Sequence, residues 1–419
     1  MNTNELNKAN KTHWLLVFAL VLYVASAIAY ECTASTARIS TLAIYFLFLV
    51  GGYFIFTRQI LHFSTYTICT ILFALYVFIM YFPILLGSTP KVSQTSYHVV
   101  YVNFTCMVLC VITYMLVYHN PGLIKWIVLA NIIGAIILAY RVVNIYESIE
   151  VMLEYASDTD MGEHRIGVEI INANMLGLYM SNAILCCVTV MMVVKKKKFF
   201  VRMSLVVLIV ALAALALLAG SKKAIAFILL GIIAMAIFMS RGQSANKKTF
   251  IFLIGIIVFA FVIWAVMSLE FFATIRLRIE EMFMAFEGER VSQTDQNRAR
   301  FINEGIDAFW KNPIFGNGTG YSYRLFNTYS HNNFVELLMN YGIIGFILHY
   351  VPFVILIFKM YEKAKTKDIY STYLLVYAII LLFMGFALVS YYERVMQLLI
   401  AAAWGYCDSD KTEMILNEN

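Results

Sequence analysis

The sequence predicts an all-α, polytopic transmembrane helical bundle of about twelve spans, with a large extracytoplasmic loop that carries short interfacial helices. Three observations predict it. The 419 residues are 62% hydrophobic and only 13% charged, about half the charge of a soluble domain. The apolar residues come in unbroken blocks rather than alternating dyads, which selects helices over an outer-membrane barrel. The charged residues collect between the blocks, where water or headgroups can solvate them.

A spanning helix needs about 20 apolar residues. Runs of that kind lie near 14–30, 39–56, 66–86, 98–118, 123–140, 171–194, 200–219, 223–239, 249–268, 332–358, 370–389 and 394–406, the last one short. The polar start, Met1 to His13, precedes an apolar run from Trp14 that extends to Tyr30. It reads as a retained first span rather than a signal peptide.

Short cytoplasmic loops retain positive charge and translocated ones rarely do. With the N-terminus inside, Lys8, Lys11, Arg58, Lys125, Lys195 to Lys198, Arg202, Arg241, Lys247, Lys248, Lys359, Lys363, Lys365, Lys367 and Lys411 all fall on the cytoplasmic side. Both termini are therefore expected there. The net charge of +6 reflects this anchoring and is no sign of nucleic-acid binding.

In chain order this gives an N-terminal transmembrane section, 1–268, with an external loop near 141–170. An extracytoplasmic section, 269–331, follows, and then C-terminal spans with a cytoplasmic tail, 332–419. Within 269–331, Ile275 to Arg290 and Asn297 to Asn312 have helical periodicity, with apolar faces of Leu277, Met282 and Phe286, then Phe301, Ile302, Phe309 and Trp310. Both are expected to lie on the bilayer surface. Asn312 and Pro313 end the second helix, and Gly316, Gly318 and Gly320 permit a tight, close-packed backbone after it.

Other patterns read as structural. Cys32, Cys69, Cys106, Cys110, Cys186, Cys187 and Cys407 lie mainly inside apolar runs without a CxxC, so they read as small core hydrophobes rather than a disulfide framework or zinc site. Asp158-Thr159-Asp160 spells a D-x-D, yet sits in an acidic external loop. Gly51-Gly52 and Gly342-x-x-Gly345 read as helix-packing positions. His13, His62, His98, His119 and His349 read as interfacial residues near span ends.

The most specific stretch is Asn312-Pro313-Ile314-Phe315-Gly316-Asn317-Gly318, followed by Ser330-His331-Asn332-Asn333-Phe334-Val335-Glu336, with Gly342 and Gly345 further along the same span. Together with Arg298, fifteen residues before Pro313, it resembles the core of the O-antigen ligase and O-antigen polymerase superfamily. Arg165-Ile166-Gly167 with Asn174-Met175-Leu176-Gly177, and Gly220-Ser221-Lys222-Lys223, resemble two upstream elements of that family. Lys222 stands where the family has arginine, a point charge in place of a bidentate fork. The resemblance covers roughly residues 160–350.

The resemblance implies an enzyme of the bacterial inner (plasma) membrane whose active site faces the periplasm or cell exterior. It would polymerise oligosaccharide repeat units (O-antigen, capsule or exopolysaccharide) carried on undecaprenyl or another polyprenyl diphosphate, without metal or cofactor and with inversion. Implied partners are the lipid-linked donor and acceptor, membrane lipids, and flippase and chain-length regulator proteins. A ligase transferring the glycan to lipid A core, or a protein oligosaccharyltransferase, would use the same parts. From a different class, a sugar-lipid flippase or other transporter also fits the span number, but transporters place charges and helix breaks near the bilayer centre.

The implied catalytic residues are His331 and Arg298, and the implied substrate-binding residues are Arg165, Lys222, Arg300 and Asn332. No nucleotide pool exists outside the cell, so the donor must arrive activated, and its leaving group is an anion of two phosphates. Arginine can bind that anion bidentately and neutralise charge as the glycosidic bond breaks. Histidine can take a proton from the acceptor hydroxyl near neutral pH. Each residue also has a plainer reading. Arg300 has Glu304 four residues on, and Arg276 and Arg278 have Glu280 and Glu281, as solvated surface pairs. Asp295 is the one carboxylate near Arg298 in sequence. His331, Asn332 and Asn333 could simply cap the helix that follows. Arg165 and Lys222 sit beside spans, where an unpaired charge is costly unless something binds it.

Overall fold

The computed structural model describes residues 3–30, 37–82, 90–157, 165–194, 197–241, 263–286 and 293–409, with isolated positions from 244 to 260. Asp158-Thr159-Asp160, Cys32, Arg290, Lys195, Lys196, Lys247, Lys248, Lys411 and most of the expected span 249–268 lie outside the described residues, as does the side chain of Asp295.

Among the described residues there is no strand. In chain order the helices are α1 (Thr3–Tyr30), α2 (Ala37–Arg58), α3 (Thr65–Ile79), α4 (Pro90–His119), α5 (Leu123–Val143), α6 (Ile149–Ser157), α7 (Ala173–Val193), α8 (Phe199–Leu218), α9 (Lys222–Ser240), α10 (Ala273–Phe286), α11 (Gln293–Lys311), α12 (Tyr321–Phe326), α13 (Asn333–Ala364), α14 (Ile369–Met384) and α15 (Arg394–Asp408). The expected polytopic helical bundle is the fold found. Seven helical segments among the described residues are long and apolar enough to cross a membrane: His13–Tyr30, Ala37–Arg58, Ser96–His119, Leu123–Tyr146, Ala173–Val193, Phe199–Leu218 and Asn333–Ala364. The apolar helices Thr65–Ile79 and Ile369–Met384 are shorter.

The chain forms two compact units that interleave along the sequence. One comprises Met1–Leu47, Lys125–Val291 and Ala364–Tyr377; the other comprises Phe48–Ile124, Ser292–Lys363 and Ala378–Asn419. The section 269–331 is therefore shared, with α10 in the first unit and α11 and α12 in the second.

In the first unit, small residues bring helices together. A Cβ on Gly134 would stand 2.9 Å from the Cβ of Ile28, and one on Gly177 would stand 2.7 Å from the Cβ of Ala224. Close approach of this kind is how helices associate where lipid is as apolar as leucine. A buried polar chain ties α5, α7 and α14: Asn182 donates to Asn131 Oδ1 at 2.9 Å, Tyr373 donates to Asn182 Oδ1 at 3.0 Å, and Cys186 donates to Tyr373 at 3.2 Å. Cys106, Cys110, Cys186 and Cys187 are buried, as their apolar surroundings predict.

In the second unit, α13 contains a break. Gly342 has φ 59° and ψ −163°, far from helical values. Breaking a helix frees backbone donors and acceptors, each costing several kcal/mol if left unmet in an apolar interior. The turn after α11 meets them. Asn317 and Gly318 donate their backbone N–H groups to Met339 and Asn340 carbonyls at 3.0 and 2.9 Å, and Ile343 donates back to Pro313 at 2.9 Å. Glycine is required on both sides of this contact: a Cβ on Gly316 would fall 2.5 Å from the Asn340 carbonyl, and one on Gly342 would fall 2.4 Å from the Ile314 carbonyl oxygen. Gly342 is thus a helix break rather than the helix-packing position its spacing suggested. Gly51 does pack, with a Cβ there only 2.8 Å from Ile112.

The same turn is fastened to α3. Tyr76 donates to the Phe315 carbonyl at 2.8 Å, Thr319 Oγ1 donates to Val77 at 2.6 Å, and the Thr319 N–H donates to Met80 at 3.1 Å. The apolar stripe of α11 lies partly against protein: Phe301 and Ala308 are buried, and Gly305 abuts Val335. His349 is not near a span end; it lies inside α13 among the rings of Phe73, Tyr350 and Tyr391.

Gly316→Ala and Gly342→Ala should each lower the melting temperature of the purified protein sharply, since both add a clash at a positive φ that alone costs about 1–3 kcal/mol. Gly52→Ala, with nothing within 4 Å of the added Cβ, should leave it unchanged or slightly raised. Equal melting temperatures for all three would contradict the backbone exchange.

Candidate functional site

The expected site residues fall into two groups. Arg165 and Lys222 belong to the first unit, while Arg298, Arg300, His331 and Asn332 belong to the second.

In the first unit, three sequence elements that resemble the family meet at one place. Gly167, at φ 84°, turns the chain after Arg165, and its N–H is held by the Tyr146 hydroxyl at 3.1 Å. Arg165 Nε donates to the Ala219 carbonyl at 3.2 Å, at the end of α8, and its Nη2 donates to Asn174 Oδ1 at 3.1 Å. Ser221, fully buried, donates to the same Asn174 oxygen at 3.2 Å and caps α9 by accepting from the Ala224 N–H. Gly177 supplies the room for this, since a Cβ there would reach 2.9 Å from Ser221. Arg165 thus binds a helix C-terminus, where a cation is favoured, and orders the motif around it. Lys222 opens α9 half-buried, and among the described residues it has no ion-pair partner.

In the second unit, a strap from α12 to α13 carries the histidine. His331 has φ 61°, a left-handed conformation that non-glycine residues seldom adopt. Its neighbours hold it there. Asn332 caps α13, its Oδ1 accepting from the Phe334 and Val335 N–H groups, both at 3.0 Å, while its Nδ2 donates to the Phe386 carbonyl at 3.3 Å. Ser330 Oγ donates to the Asn332 carbonyl at 2.9 Å. Asn333 is a second anchor: its N–H donates to Gly385, its Nδ2 to Tyr350, and its Oδ1 accepts from Ser390 and Tyr391. The amide of Asn332 is therefore committed to backbone, the plainer of its two readings.

The imidazole of His331 lies beside two rings, Tyr329 at 4.2 Å and Phe301 at 6.4 Å, the latter within 9° of parallel. Burial pushes the Tyr329 phenol above its ordinary value; Glu393 and Glu336 add to the push and the charge of Arg298 opposes it. Burial raises Tyr323 as well. Arg298 is half-buried on α11 of the same unit. Arg300 takes its plainer reading, an exposed pair with Glu304 at 3.7 Å whose guanidinium also covers Phe301. Arg276 donates to the Met267 carbonyl.

Sequence reasoning missed Tyr329, Glu336 and Glu393. Tyr329 lay two residues from His331, close enough to have been named. Glu336 sits in the first turn of an apolar span and Glu393 in a short connection, so neither carries a local signal.

Among curated proteins, none matches this chain. Residues 207–350 match the family model described as O-antigen ligase. The matched segment holds Lys222, Arg298, Arg300, His331 and Asn332, and Arg165 and Asn174 lie upstream of it. Over that segment the chain is similar to the O-antigen polymerase and ligase superfamily.

Arg165→Ala should destabilise the protein by about 1–3 kcal/mol, because it strips one donor from the Ala219 carbonyl and one from the half-buried Asn174 amide. Lys222→Ala should stay within about 0.5 kcal/mol of wild type. Thermal melting of the purified variants checks both, and the reverse order would contradict the assigned roles.

Proposed function

We propose that this chain is a member of the O-antigen polymerase and ligase superfamily, an extracytoplasmic-facing glycosyltransferase that polymerises polyprenyl-diphosphate-linked oligosaccharide repeat units in a bacterial inner membrane. What supports the reading is the match of residues 207–350, which hold Arg298 and His331, to the O-antigen ligase family model, together with the strap that sets the His331 imidazole against Tyr329. Arg298 and His331 are the two residues that glycosyl transfer from a diphosphate donor most needs.

In the proposed reaction the acceptor hydroxyl attacks the anomeric carbon from the face opposite the diphosphate, so configuration inverts. His331 takes the hydroxyl proton as the new C–O bond forms. The old C–O bond breaks, its electron pair leaves with the diphosphate, and Arg298 neutralises the charge that develops there. The growing chain thereby moves onto the next lipid-linked unit and polyprenyl diphosphate is released. Asn332 and Ser330 position His331 rather than touch substrate. Arg300, exposed on α11, attracts the acidic donor without contacting the reacting bond. In the first unit, Arg165 orders the loop before α7, and Lys222 offers a cation to acidic groups of the lipid-linked substrate.

The family model's description favours one second reading, a ligase. The bond chemistry is the same and the acceptor is lipid A core; sugar attached to that lipid rather than to a lengthened polyprenyl carrier distinguishes it. A transporter is less well supported. The break at Gly342 is closed by backbone hydrogen bonds from the 313–318 turn, whereas transporters leave such breaks lining a substrate pathway.

Arg298→Ala and His331→Ala should each cut the glycan made by cells at matched membrane levels by about 100-fold or more. Arg300→Ala should cost only a few-fold. Full-length polymer from both of the first two variants would overturn the roles.

A further inference from the structure

The strap that presents His331 is gripped from below by one carboxylate. Glu336, in the first turn of α13 and 1% exposed, faces three donors. Its Oε1 accepts from the Ser322 hydroxyl and from Asn340 Nδ2 at 3.2 Å, and its Oε2 accepts from the Ser330 N–H at 2.7 Å. Asn340, one turn further on, adds a second prong by accepting from the Ser322 N–H at 3.1 Å through its Oδ1. The pair therefore fastens both ends of the segment 322–330 to α13. Ser330 then passes the restraint on, since its hydroxyl bonds both the carbonyl and the N–H of Asn332. Between those two fixed residues stands His331, at a positive φ that a free chain would relax.

We infer that Glu336 is a positioning residue whose grip on Ser322 and Ser330 holds His331 in its left-handed conformation and so aims the imidazole. The inference rests on the proposed role of His331 for its consequence in the reaction, while its structural half stands apart from that role. An apolar residue at this position would leave three buried donors facing it without this acceptor. What the carboxylate supplies is two acceptor atoms at the place where a strap must be held down.

Glu336→Gln is the discriminating change, because it keeps the shape but sets an NH2 group against neighbours that are themselves donors. In the full-length protein in detergent, amide exchange followed by mass spectrometry should rise at least tenfold over Tyr329 to Asn332 and stay unchanged in α7. In cells, glycan production should fall at least tenfold at matched membrane levels, and Glu336→Asp should recover part of both. Ser322→Ala, which removes one donor and leaves the other two, should give a smaller rise over 322–330 and serves if Glu336→Gln fails to fold. Unchanged exchange would overturn the inference, as would faster exchange with full glycan production. Full production by His331→Ala beside faster exchange in Glu336→Gln would instead remove the catalytic role of His331 and leave the grip intact.

Discussion

The second unit depends on an exchange of backbone hydrogen bonds between the break in α13 and the turn that follows α11. A helix broken at Gly342 inside an apolar environment is untenable alone, because its freed carbonyls and N–H groups find no water. The Pro313 to Gly318 turn supplies the missing partners from Met339 to Ile343 and is itself bonded to the end of α3. One contact thus fixes where α11 ends, where α12 begins, and where the first turn of α13 points. The strap bearing His331 hangs between these fixed points, and Arg298 lies on α11, fifteen residues before Pro313.

Charge in the two units is handled differently. In the first, Arg165 is bonded to a helix C-terminus and to Asn174, and the glycines at 167, 177 and 220 exist to let that arrangement close. It is construction. In the second, the charges that act on Tyr329 are a half-buried arginine, the buried Glu336 and the half-buried Glu393, with an imidazole against its ring. Such mixtures are costly to assemble and concentrate where chemistry is done.

The helical class was legible in the sequence because apolar blocks about 20 residues long admit one solution in lipid. The helices of 269–331 were legible from periodicity, although α11 lays its Phe301 and Ala308 face on protein rather than lipid, a choice periodicity does not encode. The Gly316 and Gly342 requirement was half legible: glycine announced a tight turn at 316, but its partner at 342 looked like packing because the two meet only in space. Arg300 and Asn332 showed their plainer readings in advance, as an i,i+4 pair and a helix cap, and the structure realises both. Glu336 was invisible, since a lone carboxylate in an apolar run has no pattern until the donors around it are placed, and Glu393 stands in a short connection with no motif around it.

The decisive property of this protein is whether it makes a glycosidic bond. The direct measurement is incubation of the purified protein in detergent with polyprenyl-diphosphate-linked repeat units, followed by mass and anomeric analysis of the products. The account predicts longer lipid-linked glycans, one polyprenyl diphosphate released per bond formed, and an inverted linkage at each new junction. Repeat units recovered unchanged, from protein that nonetheless moves them across a vesicle membrane, would contradict it.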